Sequence, residues 1–360
     1  MVYYPFFKNT CFYVHFAQGI AILQGKSRTT MKHHSFFIAI AAFALISVSA
    51  CRNSSGAGQD ARKITPIGDN LVCQPVLDTI VRLGEGAIWD YKYNRLLWID
   101  TQGSVMIYTP DNGKNREIKL GTDVGTVVPY KKDKIIVAIR TGVYELDLKD
   151  ESLTFLCDPE GGIPGNKYND GKCDARGRLW VGTMDNNSTP NKSGLYLVEG
   201  KGKGKKMLSD VTISNGVSWS LDGKTMYYAD TPTGKVSAFD FDEKKGEISN
   251  RREIITIPDG MGNPDGNTLD AEGMLWVANW EGGCVTRWNP HTGEMLCRID
   301  VPAPNVSSVA FGGKDLDELY ITTASIYMPR GSAARYPQAG KLFVVKPGVK
   351  GIKSKYFHAN

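Results

Sequence analysis

From residue 80 onward, short runs of β-branched and aromatic residues alternate with turns rich in Gly, Asp and Asn, and almost no stretch spaces its apolar positions with a helical period. The pattern predicts strands joined by tight turns. Six runs resemble one another: LLWID (96–100), KIIVAI (134–139), LWVGT (179–183), MYYAD (226–230), LWVAN (275–279) and LYITT (319–323). Aligning Leu97, Ile136, Trp180, Tyr227, Trp276 and Tyr320 gives spacings of 39, 44, 47, 49 and 44 residues. A period of about 45 residues holding four short strands is the signature of a propeller blade. The chain is therefore predicted to be all-β, a six-bladed β-propeller over residues 80–350. Turns in DARGR (174–178), SLDGK (220–224) and DAEGM (270–274) supply the hairpin before the aligned strand in three units. Two stacked β-sandwiches are the competing arrangement, which a single period across six units disfavours.

In a propeller the innermost strand of each blade lines a central channel, so residues at one repeat position converge on the axis. Eleven or twelve residues before the aligned positions stand Glu85, Gly125 or Val124, Asn169, Asn215, Asp265, and Ser308 or Val309. Four of the six blades thus offer a side-chain oxygen at one depth. Each of the four is followed within two residues by Gly, which is read as leaving a crowded mouth open to ligand and solvent. Two carboxylates and two amides form a hard oxygen set that suits Ca²⁺ better than Zn²⁺, with water or substrate completing the shell. Asn and Asp before Gly are also ordinary turn residues, and their coincidence in register is what favours a site.

Charge and sulfur content narrow the possibilities. Lys plus Arg number 43 against 38 Asp plus Glu, but residues 1–50 hold Lys8, Lys26, Arg28 and Lys32 and no acid. The remaining body is nearly neutral, without the basic footprint of a nucleic-acid binder. From Met31 the sequence MKHHSFFIAIAAFALISVSAC has the proportions of a secretory signal, too short for a comfortable membrane span. Its end, Val48-Ser49-Ala50-Cys51, resembles a bacterial lipobox, with Cys51 as the lipidated first residue of an exported lipoprotein; an ordinary cleaved signal with a chance cysteine is the alternative. On this reading residues 1–30 are an extension from a misplaced start or one without structure, 51–79 are a tether and entry segment, and 351–360 a C-terminal tail. The lipid on Cys51 would be the sole membrane contact, facing the periplasm or the cell surface. Cys73, Cys157, Cys173, Cys284 and Cys297 contain no CxxC pair, and the body has two histidines, His291 and His358. Zinc ribbons, dithiol redox sites and His-dependent triads are thereby disfavoured.

The segments GEGAIWD (84–90), NDGKCDARGRLWVGTM (169–184), ISNGVSWSLDGKTMYYADT (213–231), PDGNTLDAEGMLWVANWEGGCVTRWNP (264–290) and VSSVAFGGKDLDELYITTA (306–324) resemble the SMP-30/gluconolactonase/regucalcin family of six-bladed propeller hydrolases. The resemblance implies one divalent metal at the bottom of the funnel held by Glu85, Asn169, Asn215 and Asp265, the residues that the register selects. It also implies that Asp265 is the general base, that Lys167 and Asn169 contact substrate, and that sugar-acid lactones are the substrate class. Family sites accept several divalent ions, so Ca²⁺ leads with Zn²⁺, Mn²⁺ or Mg²⁺ as alternatives. Lys167 departs from the pattern, because the family places Arg there and Lys lacks its bidentate fork. Two other functions fit the same sequence: a phosphotriesterase-like or other ester hydrolase on the same metal, and a non-catalytic metal-bound propeller that binds a sugar acid or a protein.

Other motifs have plainer readings. Trp89, Trp180, Trp219 and Trp276 recur at blade positions and are read as core. LDGKT (221–225) lacks the first Gly of a phosphate loop. DFDEKKGEISNR (240–251) fails the calcium-loop pattern at Lys245 and Arg251 and is read as a charged hairpin, and GKGKGKK (200–206) as a solvated loop.

Overall fold

The computed structural model describes residues 64–68 and 71–358. The segment assigned to export, Cys51 and residues 52–63 and 69–70 of the tether and entry segment lie outside the described residues. Among the described residues, six four-stranded antiparallel sheets account for the 24 strands. Blades one to five use consecutive strands, and their inner strands are Gly84–Asp90, Val124–Lys131, Asn166–Cys173, Ser214–Trp219 and Asn263–Leu269. Blade six begins with the inner strand Asn305–Gly312 and ends with Gln74–Pro75, which pairs Gln74 with Val344 and Pro75 with Phe343. The ring closes by joining a strand from before blade one to the last blade in one sheet. Each inner strand packs against the next in chain order, and the sixth meets the first.

The aligned runs all lie in second strands, where both faces of the sheet are covered. Leu97, Ile136, Trp180, Tyr227, Trp276 and Tyr320 are all buried, and apolar clusters fill the spaces between blades. The repeated turns have a polar reason as well. Asp174 Oδ1 accepts the backbone N–H groups of Arg176 and Arg178, while Oδ2 accepts Trp180 Nε1 at 3.1 Å. Asp270 does the same for Glu272, Met274 and Trp276. One carboxylate thus fixes both the turn and the indole of the strand that follows. Arg178 and Arg287 neutralise the two buried aspartates.

Two features differ from the local sequence reading. Lys203–Val211 is the outer strand of blade three, so the lysine run enters an edge strand instead of a loop; lysines on an edge keep it from pairing with another sheet. Residues 350–358 cross the end of the ring where the inner strands finish. There Ala271 N donates to Lys350 O, Gly351 N to Leu316 O, Phe357 N to Pro129 O and His358 N to Gly177 O, with Tyr356 and Phe357 buried. The 240–251 segment is a hairpin, as its charge pattern predicted. The five described cysteines are free thiols.

Candidate functional site

Every inner strand carries a register shift at the same level: between Glu85 and Ile88, Val124 and Thr126, Tyr168 and Gly171, Asn215 and Val217, Pro264 and Asn267, and Val306 and Ser308. A bulge frees one or two residues from the ladder and re-aims their side chains. The four oxygen-bearing positions stand at these bulges, near the end of the ring opposite residues 350–358. Their convergence is a property of six repeated bulges.

Two of the glycines that follow them, Gly216 and Gly266, serve packing between blades, as does Gly125 at the equivalent position of blade two. A Cβ on Gly125 would lie 2.4 Å from the carbonyl carbon and oxygen of Tyr168 and 2.7 Å from Asn169 N. On Gly216 it would lie 2.5 Å from Asp265 O, and on Gly266 2.9 Å from Ser307 O. Each of these glycines is pressed against the bulge of the next blade. At Gly216 and Gly266 this corrects the expectation of a mouth opened by small residues, whereas a Cβ on Gly86 would meet only ordinary contacts, the nearest at 3.5 Å, and one on Gly171 would meet the Trp180 carbonyl of its own blade at 2.7 Å.

Asn169 Nδ2 donates to Ser214 O at 2.8 Å and to Asn215 Oδ1 at 2.9 Å, which leaves Asn169 Oδ1 available. Asn215 Nδ2 donates to Thr231 Oγ1 at 2.8 Å, and Thr231 Oγ1 donates to Pro264 O at 2.9 Å. One hydrogen-bonded path therefore links blades three, four and five and ends beside Asp265. Asp265 is 3% exposed, and its Oδ1 has no hydrogen-bond partner. A buried unpaired carboxylate oxygen is costly, and a cation is its natural complement.

The electrostatics point the same way. Burial first, then repulsion from Asp265 and Asp170, holds the Glu85 carboxyl well above its usual pKa. Asp265 is raised by burial and by Asp170, and Asp170 itself is raised by burial. Asp170 was not among the candidate residues, although it stands in the NDG segment; its place beside Asn169 in a two-residue bulge brings it inward. Lys172 Nζ crosses the channel to Asn267 O at 2.6 Å. Asn267 is buried with both side-chain polar atoms unpartnered. No sequence signal distinguishes these two from ordinary strand residues.

Lys167 is half-buried, and no hydrogen bond or ion pair among the described residues engages its ammonium. Burial lowers its pKa, with Asp123 acting in the opposite sense. The structure thus gathers Glu85, Asn169, Asn215 and Asp265, with Asp170 among them and Lys167 at their side. Hard neutral and anionic oxygens with a partnerless Asp265 Oδ1 fit a divalent cation.

A six-bladed propeller with a cluster of acids and amides at one end of its channel defines the class. The chain belongs to the SMP-30/Gluconolactonase/LRE-like family, whose model matches residues 83–325. It is 38% identical over 267 residues to the Bacillus subtilis (strain 168) protein named "Putative sugar lactone lactonase YvrE", covering 74% of this chain and 91% of that protein. It is 35% identical over 289 residues to regucalcin of Xenopus laevis, covering 78% and 97%. A crystal structure of a calcium-binding protein, regucalcin, from Agrobacterium tumefaciens superposes with a TM-score of 0.76 at 27% identity, covering 80% of this chain and 98% of that one.

Proposed function

We propose that the chain is a metal-dependent hydrolase that opens sugar-acid lactones. The observation that carries the reading is the buried, partnerless Oδ1 of Asp265 among the oxygens of Glu85, Asn169 and Asn215. These four residues would hold the ion, with Ca²⁺ favoured by their hard oxygens and by the calcium-binding regucalcin structure. Bound there, a divalent cation supplies Lewis-acid polarisation of an ester carbonyl.

The remaining chemistry belongs to the chain. Asp265 takes a proton from the attacking water, which must lie within about 2.6–3.2 Å of its carboxylate. Low exposure of Asp265 limits competing solvent and strengthens its electrostatic interactions. Asn169, whose Oδ1 is free while Nδ2 is anchored, orients the substrate from blade three. Lys167, without an internal partner, directs its charge to ring oxygens or to the acid group of the substrate. No nucleophilic side chain and no covalent intermediate are required. On this reading the enzyme works outside the cytoplasm, tethered by lipid on Cys51.

The test is acidification by the purified chain in a panel of sugar-acid lactones, run with Ca²⁺, Mg²⁺, Mn²⁺ or Zn²⁺ and with chelator. Lactone opening that chelator abolishes and Asp265→Asn removes is expected. Turnover of aryl phosphotriesters alone would instead favour the ester-hydrolase reading. Silence on both, with thermal stabilisation by a sugar acid, would make the protein a binding propeller.

A further inference from the structure

Asp265 and Gly266 have no partners in the ladder of blade five, because pairing stops at Pro264 with Asn279 and resumes at Asn267 with Val277. Beyond those two flanking pairs, hydrogen bonds from other blades hold the segment. On one side of the bulge, Thr231 Oγ1 donates to Pro264 O at 2.9 Å. On the other, Lys172 Nζ donates to Asn267 O at 2.6 Å, from blade three across the channel. Asn267 offers no help through its own amide, whose two polar atoms are both unpartnered.

We infer that Lys172 and Thr231 are positioning residues that clamp the Asp265 bulge from both sides and set its distance from the oxygens on blades three and four. A half-buried lysine is an expensive way to fill the channel, since an apolar side chain of equal length would need no compensation for lost hydration. Its charge-assisted bond to one main-chain carbonyl gives a fixed strand position that apolar packing would not define as sharply. Thr231 couples the clamp to the site directly, for its hydroxyl also accepts Asn215 Nδ2 at 2.8 Å. Movement of Pro264 would therefore be felt at Asn215 as well as at Asp265. Groups that orient metal ligands in this way typically alter affinity about 10–100-fold when removed.

The inference rests on the metal reading given above. Its test is the dissociation constant for Ca²⁺, measured by chelator competition on the full chain, for wild type, Lys172→Met, Thr231→Val and Thr231→Ser, together with the melting temperature of each metal-free protein. Thr231→Val is expected to weaken Ca²⁺ binding about 10–100-fold, Lys172→Met to weaken it despite removing a positive charge beside Asp170 whose loss alone would favour the cation, and Thr231→Ser to keep both hydroxyl bonds and wild-type affinity. A merely structural role would lower the metal-free melting temperature and leave the dissociation constant alone, and that result overturns the clamp. If Lys172→Met does not fold, the contrast between Thr231→Val and Thr231→Ser decides: affinity lost in the first and kept in the second supports the clamp, and equal affinity rejects it. Wild type that binds neither Ca²⁺ nor Mg²⁺, Mn²⁺ or Zn²⁺ would refute the metal site itself, which is a separate failure.

Discussion

Asn169 and Asn215 meet across blades three and four, with Nδ2 of the first donating to Oδ1 of the second at 2.9 Å. Two proposed ligands thus fix each other's amide orientation, and Thr231 fixes the second from below. Asn215→Ala removes one oxygen from the site, frees the Asn169 amide and deprives Thr231 of a donor. Ca²⁺ affinity should fall by at least about tenfold, in line with loss of an orienting partner, while folding stability changes by only about 1 kcal/mol. Titration calorimetry beside chemical denaturation checks both, and unchanged Ca²⁺ affinity would remove Asn215 from the ligand set.

The crowded carboxylates predict how the metal-free protein responds to pH. Glu85, Asp265 and Asp170 are all raised, with burial the leading cause, so the folded chain binds their protons more tightly than the unfolded chain does. Stability contributed by these groups is complete below the unfolded carboxylate pKa of about 4 and is lost as pH rises through the elevated folded values. In chelator, wild type should therefore lose stability over that window relative to Glu85→Gln. Saturating Ca²⁺ should remove the difference. Melting curves at a series of pH values test this, and a metal-free wild type that gains on the variant as pH rises would contradict it.

Gly125 gives a steric prediction. Its missing Cβ would overlap the backbone of Tyr168 and Asn169, which belongs to a strand and cannot rotate away as a side chain would. Gly125→Ala should cost about 1–3 kcal/mol or more, and the displaced blade should also weaken metal binding. Thermal denaturation and Ca²⁺ titration of the variant measure the two effects. Full stability in Gly125→Ala would show that the blades have slack at this level.

The C-terminal segment can be tested at Tyr356, whose hydroxyl donates to the fully buried Asp90 and accepts Lys92 N at 3.1 Å. Arg95 Nε engages the other Asp90 oxygen at 2.8 Å. Tyr356→Phe leaves one buried carboxylate oxygen without its donor, a loss of about 1–3 kcal/mol. Denaturant unfolding should show it, with lactone turnover unaffected because this end of the ring is remote from Asp265. A drop in turnover without a drop in stability would mean that the two ends communicate.

The blades were readable because their cause is local. Continuous apolar runs in Leu96–Ile99 or Leu275–Ala278 are buried on both faces of their sheets, and the Asp-x-x-Gly turns before Leu179 and Leu275 are closed by their own carboxylates. The depth of Glu85, Asn169, Asn215 and Asp265 was readable for a related reason, because equal repeat positions reach equal heights in a ring. The role of Gly216 and Gly266 beside them was not, since both are required by backbone atoms of a different blade.

Sequence by itself therefore determined the repeat, the inner strands and the residue types that could meet a hard cation, because each follows from a pattern within about 45 residues. Tertiary structure alone decided that Asp170 turns inward, that Lys172 spans the channel to Asn267 O, that Thr231 joins Asn215 to Pro264, and that residues 350–358 cross the far end. Those contacts are set by how the blades meet, and the one from Lys172 to Asn267 spans 95 residues of chain. No local periodicity encodes which side chain will face which carbonyl once the ring has closed.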